Sequence, residues 1–202
     1  ALSLAGRWMT LVTDGYRWEA GDFCRGALVT AVAAEYLGER LGHVDARVAY
    51  TAGLVHEVGK LAIAYSCSEH FADIRAHQQE RGCTWLVSEK AVLGFDHAEV
   101  SSELLRRWNF PDKFVAISMH NPPTASAPAE VMPLLVTVHA AKYLATSIGA
   151  GVAEDGFLFE LNAPLLLEWG YTSPFLENAL TEVLARASRL LHENLLHGAI
   201  QF

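Results

Sequence analysis

The 202 residues carry 23 acidic against 15 basic side chains, and the resulting net charge of −8 disfavours binding to DNA, RNA or anionic membranes, all of them polyanions. Hydrophobic residues make up 51% of the chain and mean hydropathy is +0.18, so a large core and at least one apolar surface in need of a partner are expected. Apolar runs such as Met132 to Ala141 are interrupted by Pro133, Thr137 and His139. They fall short of the roughly 20 residues of a membrane span, and no charged-then-apolar leader is seen, so a soluble cytoplasmic protein is expected.

Helical periodicity dominates in chain order. A first helix is expected at about Leu2 to Val12; because the chain opens inside this apolar stretch (Leu2, Leu4, Trp8, Met9, Leu11), an N-terminal portion is expected to be missing. The next helix runs from Asp22 to Leu41, with Leu28, Val32 and Tyr36 one turn apart and Gly42 as its stop. Asp45 can cap a long helix reaching Tyr65, with Val48, Ala52, Val55 and Ile63 on one stripe.

Shorter helices follow at Ser68–Arg81, Thr84–Leu93 and Asp96–Trp108, the last opened by the capping-box pattern Asp96-x-x-Glu99. Pro111 restarts a helix ending at His120, and Asn121-Pro-Pro-Thr-Ala-Ser-Ala-Pro128 forbids its continuation. Pro133–Ile148 and Asn162–Trp169 read as two more helices, and Ser173-Pro174 as the cap and first turn of a last helix ending near His197. No alternating strand pattern occurs. The fold class is all-α, one compact multi-helix domain over residues 1–202, with its motifs in 22–142 and a helical tail in 143–202. Trp85, Trp108 and Trp169 read as core. The three cysteines (Cys24, Cys67, Cys83) lack CxxC spacing and read as free thiols in a reducing compartment.

Chemistry concentrates in Thr51-Ala-Gly-Leu-Val-His-Glu-Val-Gly-Lys-Leu61, where His56 and Glu57 stand together in an apolar helix and need partners. An imidazole beside a carboxylate suits a divalent metal, and Lys60 could meet a phosphate. The plainer alternative is a buried histidine beside a Glu57–Lys60 ion pair. His97 opens a helix within Gly94-Phe-Asp-His-Ala-Glu99, His120 closes another within Ile117-Ser-Met-His-Asn-Pro-Pro123, and Val136-Thr-Val-His-Ala-Ala-Lys142 lies in a later one. His43, His70, His77, His192 and His197 fit no motif and read as ordinary solvated or half-buried side chains.

Four segments in order resemble the HDOD family, the HD-related output domain of bacterial signalling proteins: Gly53-Leu-Val-His-Glu-Val-Gly-Lys-Leu61, Gly94-Phe-Asp-His-Ala-Glu-Val100, His120-Asn-Pro-Pro123 and Val138-His-Ala-Ala-Lys142. The family patterns are G-L-L-H-D-I-G-K-L, G-x-D-H-A-E-V, H-H-x-P and V-H-x-A-D. The resemblance implies an HD-like helical bundle with further helices before this chain's first residue. It also implies descent from HD phosphohydrolases, which hold divalent metal with a first-helix His, a His-Asp doublet, downstream histidines and a final Asp.

Here the first ligand position reads Gly26, the doublet's acid is Glu57, and the final acid is Lys142. Gly26 has no ligand atom, and an ammonium about 4 Å from a divalent ion repels it by several kcal/mol at an effective dielectric of about 20. The GYP signature of cyclic-dinucleotide hydrolases is absent after His120. The resemblance therefore implies a non-catalytic signalling output domain acting by protein–protein contact, with a signalling protein, a neighbouring domain of the same chain or a homodimer as partner, and no nucleic acid, membrane, cofactor or metal. The alternative is a phosphohydrolase acting on a nucleotide or cyclic dinucleotide, with iron, manganese, zinc or nickel on His56, Glu57, His97 and His120 and Lys60 on the phosphate. His139 is expected to pack rather than ligate.

Overall fold

The computed structural model describes residues 15–19, 21–124, 127–150 and 161–196, with side chains to residue 192. The expected helix at Leu2–Val12 lies outside these. The described residues form helices and no extended strand: α1 (Asp22–Leu41), α2 (Ala46–Val55), α3 (Gly59–Ser66), a 3-10 turn (Ser68–His70), α4 (Phe71–Arg81), α5 (Trp85–Leu93), α6 (His97–Arg107), α7 (Asp112–Met119), α8 (Met132–Ser147), α9 (Ala163–Glu168) and α10 (Ser173–Leu196). The all-α class holds.

Most boundaries follow from local chemistry. Asp45 accepts from the amides of Arg47 and Val48, and the Asp96–Glu99 capping box is formed in both directions. Gly42 ends α1 at φ 68°, a left-handed conformation that costs glycine little. The start of α10 differs from expectation in detail: Thr172 Oγ1, not Ser173, accepts from the Phe175 amide at 3.4 Å.

One expected helix is corrected. The helix from Asp45 to Tyr65 is two helices, because the chain tightens through His56–Val58. There Val58, Lys60 and Leu61 each donate to the carbonyl three residues back, as in a 3-10 turn. The motif's glycines account for the bend. A Cβ on Gly53 would stand 2.8 Å from Ala31 Cα, so α2 lies directly against α1; a Cβ on Gly59 would collide with the His97 carbonyl and Ser101. The two glycines thus press the motif against α1 on one side and α6 on the other.

α1 is the central element, packed on α2, α8 and α10, while α6 contacts α3 and α7. The main core joins Val29, Ala33, Leu37, Ala52, Leu105, Leu135, Val138 and Val183, all nearly inaccessible. A second cluster, Tyr16, Trp18, Leu61, Ile63, Phe71, Ile74 and Trp85, lies under α3, α4 and α5. Trp85 is core as expected, but Trp108 is 44% exposed; it caps the end of α6, beyond the last buried turn. Among the described residues no helix is long and apolar enough to cross a membrane.

Candidate functional site

The tight turn at His56–Val58 delivers His56 and Glu57 to a small pocket also lined by Trp18, Phe23, Gly26, Ala27, Leu54, Lys60 and Lys142. α1 supplies Gly26 and α8 supplies Lys142, so residues 116 positions apart in sequence face one space. His56 is buried, and its Nδ1–H donates to the Gly53 carbonyl at 2.8 Å. That fixes the neutral tautomer with its lone pair on Nε2. Nε2 makes no hydrogen bond and stands 3.7 Å from Glu57 Oε2.

Glu57 is the electrostatic centre. Lys60 Nζ lies 2.9 Å from its Oε1 and Lys142 Nζ 2.7 Å from its Oε2. Burial pushes the Glu57 carboxyl up, but Lys142 and Lys60 outweigh it and hold the group well below the usual carboxylate range. Burial drives the His56 imidazole down to about 4; the Glu57 carboxylate opposes the shift, and both ammoniums add to it. The expected Glu57–Lys60 pair is present, and Lys142 adds a partner drawn from 85 residues away.

His97 begins α6 as expected, but Glu89 claims it. The buried Glu89 Oε2 accepts from His97 Nδ1–H at 2.6 Å and from the His97 amide at 2.8 Å, while Oε1 accepts from the Tyr16 hydroxyl. His97 remains close enough to stabilise the Glu57 anion. Sequence reasoning missed Glu89. The signal was present: one acid beside Ser88 in the apolar helix Trp85-Leu-Val-Ser-Glu-Lys-Ala-Val-Leu93. His120 caps α7 and does not line the pocket. His139 is fully buried; its Nε2 accepts from the Asn162 amide at 3.2 Å, and burial together with His56 drives its imidazole down to about 4. It packs, as expected.

The HDOD domain profile matches residues 1–123 of this chain. The chain belongs to the HDOD domain family. Solved structures agree in fold: an HDOD domain protein of unknown function from Geobacter sulfurreducens superposes with a TM-score of 0.66 at 20% identity, covering 95% of this chain and 65% of its own. A candidate phosphohydrolase from Shewanella amazonensis gives 0.64 at 23% identity, covering 86% and 61%. A candidate signal transduction protein from Marinobacter aquaeolei gives 0.67 at 19%, covering 85% and 38%. A curated uncharacterized protein from Treponema pallidum is 28% identical over 89 residues, which is 44% of this chain and 17% of that protein. The chain thus spans only part of each relative it matches.

A divalent metal does not fit this HDOD pocket as built. Gly26 offers no donor, and both Glu57 oxygens are taken by ammonium groups, one of them from Lys142. Among the described residues no three His, Cys, Asp or Glu side chains cluster as a metal site. Of the four candidate ligands, His56 and Glu57 line the pocket, whereas His97, whose Nδ1–H donates to Glu89, and His120 do not.

Proposed function

We propose that this HDOD domain is a non-catalytic output module of bacterial signal transduction, cytoplasmic, working through contact with a signalling protein, a neighbouring domain or a second copy of itself. One observation carries the reading: Glu57, at the acid position of the metal doublet, is neutralised internally by Lys60 and Lys142. Two ammoniums provide the charge compensation that a bound cation would otherwise supply, so the pocket holds its shape without metal. Exposed Leu54, Phe95, Trp108 and Met119 support an apolar docking role. The acidic charge argues against nucleic acid and membrane partners.

The test is elemental analysis of purified protein, with turnover of a chromogenic phosphodiester in added manganese or nickel. Far less than one equivalent of metal and no turnover are expected. Near-stoichiometric metal that is lost in His56→Ala would overturn the reading in favour of the phosphohydrolase alternative. The reverse experiment is the triple change Gly26→His, Glu57→Asp and Lys142→Asp. All three positions face the same pocket, so the triple variant should gain about 2.7 kcal/mol of stability in metal at ~100 times Kd.

A further inference from the structure

α10 carries more apolar surface than the bundle uses. Its 24 residues bury one row, Leu176, Ala179, Val183 and Ala187, in the main core. A second row at helical spacing, Leu180, Leu184 and Leu191, lies beside the first, and Leu184 is 51% exposed. Next to the first turns of α10, α8 and α9 complete a groove of about 260 Å³. Buried Leu144, Leu166 and Leu176 line its depth, while Leu167, 57% exposed, and the exposed Glu177 stand at its edge. The groove therefore lies on the first half of α10, and the projecting leucines continue along the second half.

We propose that α10 is a self-association surface, pairing antiparallel with α10 of a second copy about a two-fold axis at Leu184. Seven residues make about two helical turns, so Leu191 and Glu177 stand about 10 Å on either side of Leu184 and on the same side of the helix. The axis therefore lays Leu191 of each copy over Glu177 of the other, at the mouth of the groove, with Leu184 against Leu184. A knob on one half of the helix and a groove on the other are what an isologous contact requires. His192, exposed next to Leu191, meets the Glu177 carboxylate across the axis. Parallel pairing would set knob on knob and leave both grooves open. One helix and one groove per copy make a small interface, below about 1,200 Å² in total, so the dimer is reversible. The inference rests on the contact-based output role for its purpose only. A monomeric chain would remove the second copy from that role and leave its other partners, and the metal test, standing.

The experiment is sedimentation velocity of the full chain from about 1 to 300 μM, in about 0.15 M salt to screen the repulsion between two acidic copies. A reversible monomer–dimer equilibrium is expected, with Kd on the order of 10–100 μM. Leu184→Glu sets two carboxylates on the axis and should weaken the dimer at least ~10-fold. Glu177→Lys should weaken it about 3-fold, and adding His192→Glu to the same chain should restore it. Leu184→Cys, mildly oxidised and mapped by peptide mass spectrometry, should link to itself faster than Tyr65→Cys, which is placed on α3 at a site 75% exposed. Circular dichroism confirms folding; if Leu184→Glu unfolds, the exchange at the exposed Glu177 and His192 decides. A monomer at every concentration overturns the proposal. So does a dimer unmoved by Leu184→Glu or by the charge exchange, or a Leu184→Cys link no faster than that of Tyr65→Cys.

Discussion

Removing the Lys142 ammonium tests whether Glu57 depends on internal cations. In Lys142→Ala the Glu57 carboxylate, whose side chain is only 14% exposed, loses its 2.7 Å partner and keeps Lys60 at 2.9 Å. Breaking a buried pair outright costs ~3–5 kcal/mol. Since one ammonium remains, about 1–3 kcal/mol is expected, the cost of a buried charged acceptor losing one donor. For a domain of this size that corresponds to a fall of roughly 3–10 °C in Tm.

The pH dependence carries the sign. Glu57 titrates well below its ordinary value when folded, so its ion-pair stabilisation is present above about pH 4.5 and is lost as pH falls through the folded-state value. The melting gap between native and variant should therefore be level from about pH 8 to 5 and narrow in stronger acid, and should change little with salt because the pair is buried. Differential scanning calorimetry across that range measures it. A gap below about 1 °C, or one that disappears in 0.5 M salt, would refute the claim that Lys142 compensates a buried charge.

Acid should weaken the domain through its buried imidazoles. His56 and His139 both titrate near about 4 when folded against 6.5 when free, so stability is full above about pH 6.5 and declines as pH falls toward 4. Unfolding at pH 5 should take up about 2 protons, measurable from the buffer dependence of the calorimetric enthalpy, and uptake near zero would contradict their burial. Gly59→Ala should prevent or severely weaken folding, because its Cβ meets the His97 carbonyl and Ser101; normal expression and an unchanged melt would mean α3 does not press on α6. Glu89→Ala withdraws the acceptor shared by the Tyr16 hydroxyl and both His97 donors, and should cost several kcal/mol in urea unfolding. A loss under about 1 kcal/mol would place Glu89 in solvent.

The amino-acid sequence by itself determined the helical class, most helix ends and the family. These rest on local causes that a linear reading can see: Asp45 and Asp96 as caps, glycine stops, prolines that forbid continuation, and four short motifs in order. It also placed Gly26, His56, Glu57 and Lys142 in correspondence, and the fold brings all four to one pocket. What the tertiary structure decided was how those side chains are satisfied. The break after Val55 is invisible to periodicity, because it arises where Gly53 and Gly59 meet α1 and α6.

Lys142 as a second partner for Glu57, and Glu89 as the carboxylate that claims His97, join residues 85 and 8 positions apart through helix packing. His120, which shares a motif order with His56 and His97, ends on a helix that does not reach the pocket. Short-range preferences set where helices begin and end. A buried charge, by contrast, takes whichever counter-charge packing brings within about 3 Å, and only the assembled helices specify that neighbour.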